Sequence, residues 1–261
     1  MSIDPPVAHS AAEAVRDASA DGGRVFLDVH FRHGEHDCEE IYLSGHVPGA
    51  HFFPLQHYST HPDGLPPITE FEDEVRGWGV SSSTAVTVYG GRSWRSVARA
   101  WWLLRWAGLR DVSFLSGGLA AWIEEGGSLE LGPVHAARGT ATLWPGGQPT
   151  VRADDLLSLP HDTVLIDARD ARSFRGEHGS PALSRAVNAP AGLNLDDGVL
   201  LDAEDLAAYY GRLGIDESSR VVVYSETGFS GALTVLALAA IGIRAALYPG
   251  RLDEVHARVG V

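Results

Sequence analysis

Lysine is absent from this chain of 261 residues, so all twenty basic side chains are arginine. Beside the excess of Ala and Gly, that absence reads as coding bias and not as a functional signal. Cysteine occurs once, at Cys38, which excludes an internal disulfide. A single thiol fits a reducing compartment, and the expected location is the cytoplasm. Positive charge is scarce, with a formal net charge of −14 and a sequence pI near 5.2. This argues against nucleic acid and anionic membranes as partners, while leaving room for a local basic pocket that holds a small anion. Long apolar runs are missing as well. "GALTVLALAAIGI" is too short to span a bilayer, and "MSIDPPVAHSAAEAVRD" lacks the apolar segment of a secretory signal. Neither G-x-G-x-x-G after a strand nor a Walker-type loop occurs, so no organic cofactor is expected.

What is present is a chain able to build a core. Hydrophobic residues make up 44 %, and the length suits two ordinary domains. The two halves repeat each other weakly. "VFLDVH" (25–30) matches "VLIDAR" (164–169), and "GAHFFP" (49–54) matches "RAVNAP" (185–190). "VTVYGG" (86–91) matches "VVVYSE" (221–226), and "LSGGLAAW" (115–122) matches "YPGRLDEV" (248–255). The offset drifts only from 139 to 133 residues, and the order is kept, as in a duplicated domain. Short β-branched runs alternate with helical stretches, which predicts α/β units on a parallel sheet. The expected division is 1–130, a Gly- and Pro-rich linker over 131–150, and 151–261. "SVARAWWLLRWAG" and "GALTVLALAAIG" read as helices packed on a sheet, stopped by Gly108 and Gly242.

Several of these segments carry a resemblance. "YLSGHVPGAHFFPL" (42–55) and "ARAWWLLRWAGLRDVSFLSGGLAAW" (98–122) are similar to first-domain signatures of tandem rhodanese-type sulfurtransferases, the thiosulfate and mercaptopyruvate group. "LIDARDARSFRGE" (165–177), "AVNAP" (186–190) and the loop after "VVVY" continue the likeness in the second half. The resemblance implies two rhodanese-like domains, each a central, mostly parallel sheet flanked by helices. It also implies a site in the cleft between them. In active members of that family the second-domain loop opens on a cysteine that accepts a sulfane sulfur as a persulfide.

Here that position is Ser225. Main-chain N–H groups curled around the first side chain form an anion-binding nest, and the following helix adds its positive end. Such surroundings favour a thiolate, but an alcohol stays protonated and forms no stable counterpart of the persulfide. The expectation is therefore a kept anion cradle without the thiol, binding a small anionic molecule and doing chemistry other than sulfane transfer. A sulfurtransferase whose cysteine became Ser225, and a non-catalytic binding module, stand as alternatives. Neighbouring departures favour natural divergence: Ser173 replaces the family's donor-binding arginine, "PALSRA" (181–186) replaces a turn, and "GRLDEV" (250–255) replaces a late motif.

Candidate catalytic residues are Ser225 and Glu226, although spacing identifies no base for the serine. Arg172 is the candidate anion clamp, because a guanidinium fork suits carboxylate, sulfate or phosphate. Thr227, Gly228, Phe229 and Ser230 complete the binding loop, with Gly228 expected at positive φ. Arg169 is expected to brace the loop. In the first half Gly90 stands at the nucleophile position, followed by Arg92 and Arg95. His30, His33, His36, Asp37, Cys38 and Glu39 have the composition of a zinc site but match no closed zinc spacing, so no metal is assigned. No protein partner is specified.

Overall fold

The computed structural model describes residues 7–19, 23–31, 38–59, 61, 63–91 and 93–259. They fall into two compact units: residues up to Tyr58 together with Pro66–Gln148, and Ser59–Leu65 together with residues from Pro149 onward.

The first unit runs β1 (Ala8–His9), α1 (Ala11–Ser19), β2 (Arg24–Asp28), α2 (Cys38–Ser44), β3 (His51–Phe52), α3 (Leu55–Ser59), α4 (Ile68–Gly77), β4 (Ala85–Tyr89), α5 (Trp94–Trp106), β5 (Val112–Leu115) and α6 (Gly118–Glu124). Its five strands lie in the order β1-β5-β4-β2-β3, and every pair is parallel. A parallel sheet must be covered on both faces, and the sequence provides for it. Helix α5 is apolar nearly all round, with Trp101, Trp102, Leu103 and Leu104 buried. On the core beside α1 and α6, Phe26, Tyr89, Leu115 and Trp122 cluster with Ala11 and Ala14. Burying each large side chain of this kind contributes about 1.5–3 kcal/mol.

The second unit runs α7 (Ala153–Leu156), β6 (Thr163–Asp167), α8 (Ala171–Phe174), β7 (Val187–Asn188), a 3₁₀ turn (Ala191–Asn194), β8 (Leu195–Asp196), β9 (Val199–Leu200), α9 (Ala203–Arg212), β10 (Arg220–Tyr224), α10 (Phe229–Ala240), β11 (Ala245–Leu247) and α11 (Leu252–Val259). Its main sheet has the order β11-β10-β6-β7, again parallel throughout, while β8 and β9 form a small antiparallel hairpin. The order β5-β4-β2-β3 of the first unit repeats as β11-β10-β6-β7, with the same chain order behind it. This is the mostly parallel α/β architecture expected for two rhodanese-like domains. Helix α10 buries every residue from Gly231 to Leu238, as a helix without a polar face must. Both expected glycine stops, Gly108 and Gly242, have positive φ, at 96° and 78°.

The Gly- and Pro-rich stretch after α6 forms no helix and lies along the first unit as far as Gln148. Its amides are tied to distant carbonyls: Gly132 to Leu43, Gly139 to Arg76, Ala141 to Val80 and Trp144 to Ala107.

Candidate functional site

The loop after β10 is built on a buried ionic strut. Asp167, at the end of β6, and Tyr224, at the end of β10, are adjacent partners across the sheet. Both are fully buried, and the Tyr224 hydroxyl donates to the Asp167 carboxylate at 2.7 Å. Arg169, two residues beyond Asp167, donates to the same carboxylate through Nε at 3.0 Å and Nη2 at 2.7 Å. A third donor is its own backbone N–H, also at 3.0 Å. A carboxylate removed from water demands this many donors. Burial works against the Arg169 charge, yet hydrogen bonds and charge from Asp167, then Glu226, outweigh it and hold the guanidinium above its ordinary value. Burial first, and the Asp167 charge second, push the Tyr224 phenol well up, so it remains a donor.

Ser225 follows directly and is 1 % exposed. Its Oγ accepts the Gly231 N–H at 3.0 Å, reaching forward into the first turn of α10. Glu226 turns the other way: its carboxylate accepts Arg169 Nη1 at 3.2 Å, while its carbonyl accepts the Leu252 N–H at 3.0 Å. No hydrogen bond between Ser225 and Glu226 occurs among the described residues, and the two side chains take different partners. Arg169 braces the loop, as expected, through Glu226.

The turn itself is shorter than the six residues read from the sequence. It closes at Gly228, whose φ of 77° and ψ of −9° reverse the chain, so that Phe229 and Ser230 already belong to α10. A side chain at Gly228 would meet the Pro249 carbonyl at 2.5 Å, so this position needs glycine for its backbone angle and for its space. Ala232 N–H bonds the Gly228 carbonyl and opens the helical ladder. The N–H groups of Glu226, Thr227, Gly228 and Ser230 donate to no acceptor among the described residues. Orphan donors of this kind, at the positive end of a twelve-residue helix, are what attracts anions.

The structure does not bring Arg172 into this group. Its side chain is largely exposed and its Nε donates to Glu177 at 3.0 Å. Arg175 donates to the same carboxylate at 2.7 Å, and these two bonds, Arg175 first, hold Glu177 below the usual carboxylate range. Arg172 lies in the short helix α8, whose N-terminus is capped by Asp170, and the Ser173 hydroxyl also bonds Asp170. Sequence reasoning missed the partners that shape the loop: Gly231 for Ser225, Leu252 for Glu226, and the Pro249 carbonyl behind Gly228.

The first unit repeats the frame without the side chain. Asp28 and Tyr89 pair across β2 and β4 as Asp167 and Tyr224 do across β6 and β10. The Val47 N–H bonds the Tyr89 hydroxyl at 3.0 Å, and the Leu183 N–H bonds that of Tyr224 at 3.0 Å. His30 stands where Arg169 does and bonds Asp28. At Gly90 an added Cβ would lie 2.5 Å from the Val29 carbonyl, so the place that Ser225 fills in the second unit is closed here. Arg92 lies outside the described residues, as do His33, His36 and Asp37. Among the described residues, no three His, Cys, Asp or Glu side chains are grouped to hold a metal, and no helix is long and apolar enough to cross a membrane.

Comparison with known proteins accounts for this doubled frame. A rhodanese-like domain is matched at residues 11–125. The chain is 37 % identical over 248 residues to the putative thiosulfate sulfurtransferase SseB of Mycobacterium tuberculosis, covering 87 % of this chain and 86 % of that one. It is 33 % identical over 238 residues to the 3-mercaptopyruvate sulfurtransferase of Escherichia coli, covering 86 % and 85 %. The crystal structure of SseA, a 3-mercaptopyruvate sulfotransferase from Escherichia coli, superposes with a TM-score of 0.84 at 28 % identity, over 94 % of this chain and 98 % of that one. The yeast Tum1 protein shares the fold, with a TM-score of 0.78 at 19 % identity. With likeness this extensive at the level of both sequence and fold, the chain belongs to the rhodanese family of sulfurtransferases, and carries Ser225 at the head of the loop after β10.

Proposed function

We propose that this rhodanese-family protein binds a small molecule with an anionic group at the loop 225–230, and that residue 225 does not carry sulfur during its action. The observation that supports the reading is the set of unclaimed main-chain N–H groups at Glu226, Thr227, Gly228 and Ser230 around a buried Ser225. Donors from the main chain do not depend on the side chain at 225, so the receptor persists whether that residue is Cys or Ser. The serine hydroxyl accepts the Gly231 N–H and hydrogen-bonds to no basic side chain among the described residues. In this reading it shapes the loop and lines the ligand, and any reaction proceeds at the bound molecule with groups other than a Ser225 alkoxide.

Thiosulfate and 3-mercaptopyruvate, named for the relatives, are the first anions to try. The test is amide NMR under titration with each at millimolar concentration. The expected result is a saturable shift confined to the amides of 226–230, with no sulfur adduct at residue 225 by mass spectrometry. Absence of any shift at those amides for every small anion tried overturns the reading. A second reading, that serine stands in an otherwise competent sulfurtransferase, draws on the identity to the relatives. It requires Ser225→Cys to transfer sulfur from thiosulfate or mercaptopyruvate to cyanide, and a folded but inactive variant refutes it.

A further inference from the structure

We propose that His46, His51 and His135 form a proton-operated latch: it holds the stretch 132–138 to the first unit while His51 is neutral and releases it when His51 takes a proton. Tyr42, on α2, is the hub. Its hydroxyl donates to the Ala50 carbonyl at 2.8 Å and accepts the Val134 N–H at 3.3 Å. Each of these partners is the chain neighbour of a histidine, Ala50 of His51 and Val134 of His135. The Tyr42 ring stacks on the third imidazole, His46, with centroids 4.1 Å apart. His46 Nδ1 donates to the Tyr42 carbonyl at 2.9 Å, and its Nε2 is buried without a hydrogen-bond partner. Three imidazoles are thus gathered at one tyrosine, two of them buried: His46 is 0 % exposed and His51 8 %.

Such a gathering resists positive charge. Burial first, then the charge of His135 and of His46, hold the His51 imidazole below its ordinary value. Among the described residues no acid offsets them at His51. Glu130, which leads into the stretch, gives its carboxylate to the Gly49 N–H at 2.7 Å, and Asp73 is engaged by Arg138. Where the closed state lowers the value of a group, the neutral form favours that state. Closure is therefore complete above the unfolded value of about 6.5, and it is lost as pH falls through the lower value of the closed state.

The stretch is also the part that can give way. His51 is fixed on β3, which pairs with β2. His46 exchanges two backbone bonds with Glu130, at 3.0 and 2.9 Å. Beyond Glu130 the hold is lighter. Among the described residues, the main-chain N–H groups of 131–138 make two bonds, Gly132 to the Leu43 carbonyl at 2.9 Å and Val134 to Tyr42. Gly132, at a φ of 84°, bounds the stretch on one side, and Gly139, bonded to the Arg76 carbonyl at 2.8 Å, on the other. Few backbone bonds beside an exposed surface mark a segment that opens locally before the whole unit does. The second main part of the other unit begins at Pro149, so the proton on His51 sets how much of the connecting chain is fixed.

The experiment is amide hydrogen exchange by NMR on the full chain at pH 7.5 and 5.5, expressed as protection factors so that the pH dependence of exchange chemistry is removed. Gly132 and Val134 report the latch, while Gly139 and Ala141, held by Arg76 and Val80, are the internal control. Protection at the first pair is expected to fall by about 10-fold more than at the second, since one unit of pKa is a factor of ten. His51→Gln should abolish this excess and His135→Gln should reduce it; His135 is exposed, so its variant decides the matter if the other does not fold. Equal changes at all four amides overturn the latch. So does an excess that persists in His51→Gln, or one undiminished in His135→Gln.

Discussion

Replacing Arg169 by Met removes the guanidinium that, alone among the described residues, bonds Asp167, while keeping much of its bulk. The variant leaves a carboxylate that is 0 % exposed with two neutral donors, the Tyr224 hydroxyl and a backbone N–H, and no cation. Removing one member of a buried pair typically costs about 3–5 kcal/mol, because the remaining charge is stranded. Against a usual domain stability of about 5–15 kcal/mol, that is a large share. The chain supplies its own control. Its seven tryptophans, from Trp78 to Trp144, all lie in the first unit, so indole fluorescence reports directly on that unit. Hydrogen exchange read on peptides covering 163–169 and 220–231 should quicken by about 100-fold or more in Arg169→Met, since each factor of ten corresponds to about 1.4 kcal/mol. Adding Asp167→Asn should recover part of the loss, with a coupling of about 0.5–3 kcal/mol between the sites. A cost below about 1 kcal/mol for Arg169→Met, or strict additivity in the double variant, refutes the strut.

Gly228→Ala should destabilise the second unit by about 2–4 kcal/mol, from the left-handed φ and the 2.5 Å approach to the Pro249 carbonyl, as read by urea melts followed by tyrosine signals. Gly90→Ser should weaken the first unit by about 1–3 kcal/mol in tryptophan-detected melts, because the new side chain meets the Val29 carbonyl; an unchanged midpoint would mean the two loops differ for another reason. Burial, and then Arg24, hold His9 below its ordinary pKa despite Asp17; burial, and then His135 and His46, do the same for His51. Both are thus favoured neutral in the folded state. Their contribution is present above the unfolded value of about 6.5 and is lost as pH falls through the lower folded value, so tryptophan-detected stability should decline below about pH 6.5. His9→Asn should flatten that decline, and a slope unaltered by this change would count against the assignment.

Much of the scaffold could be read from the sequence because it is written twice. Pairing Asp28 with Asp167 and Tyr89 with Tyr224 by offset alone picked out residues that occupy the same strand ends in both sheets. The helices α5 and α10 were legible from their apolar runs and terminal glycines. Details of the site were not, since they rest on contacts that no periodicity encodes. Ser225 finds its partner six residues ahead, across a helical turn. Arg172 looked like an anion clamp beside Ser173, but Glu177 is within its reach and holds it at the surface. The route of 131–148 depends on carbonyls at Arg76, Val80 and Ala107, which are far away in the chain. Glu226 is adjacent to Ser225 in sequence yet faces the opposite way, because Arg169 has a guanidinium nitrogen that Asp167 leaves unused.

The open N–H groups around the start of α10 belong to the polypeptide itself, so a side-chain change other than one to proline leaves them in place. A lineage can exchange the atom at the head of such a loop and still inherit a ready socket for its next tenant. The counterpart at Gly90 offers no such room, because the Val29 carbonyl lies where a side chain would begin.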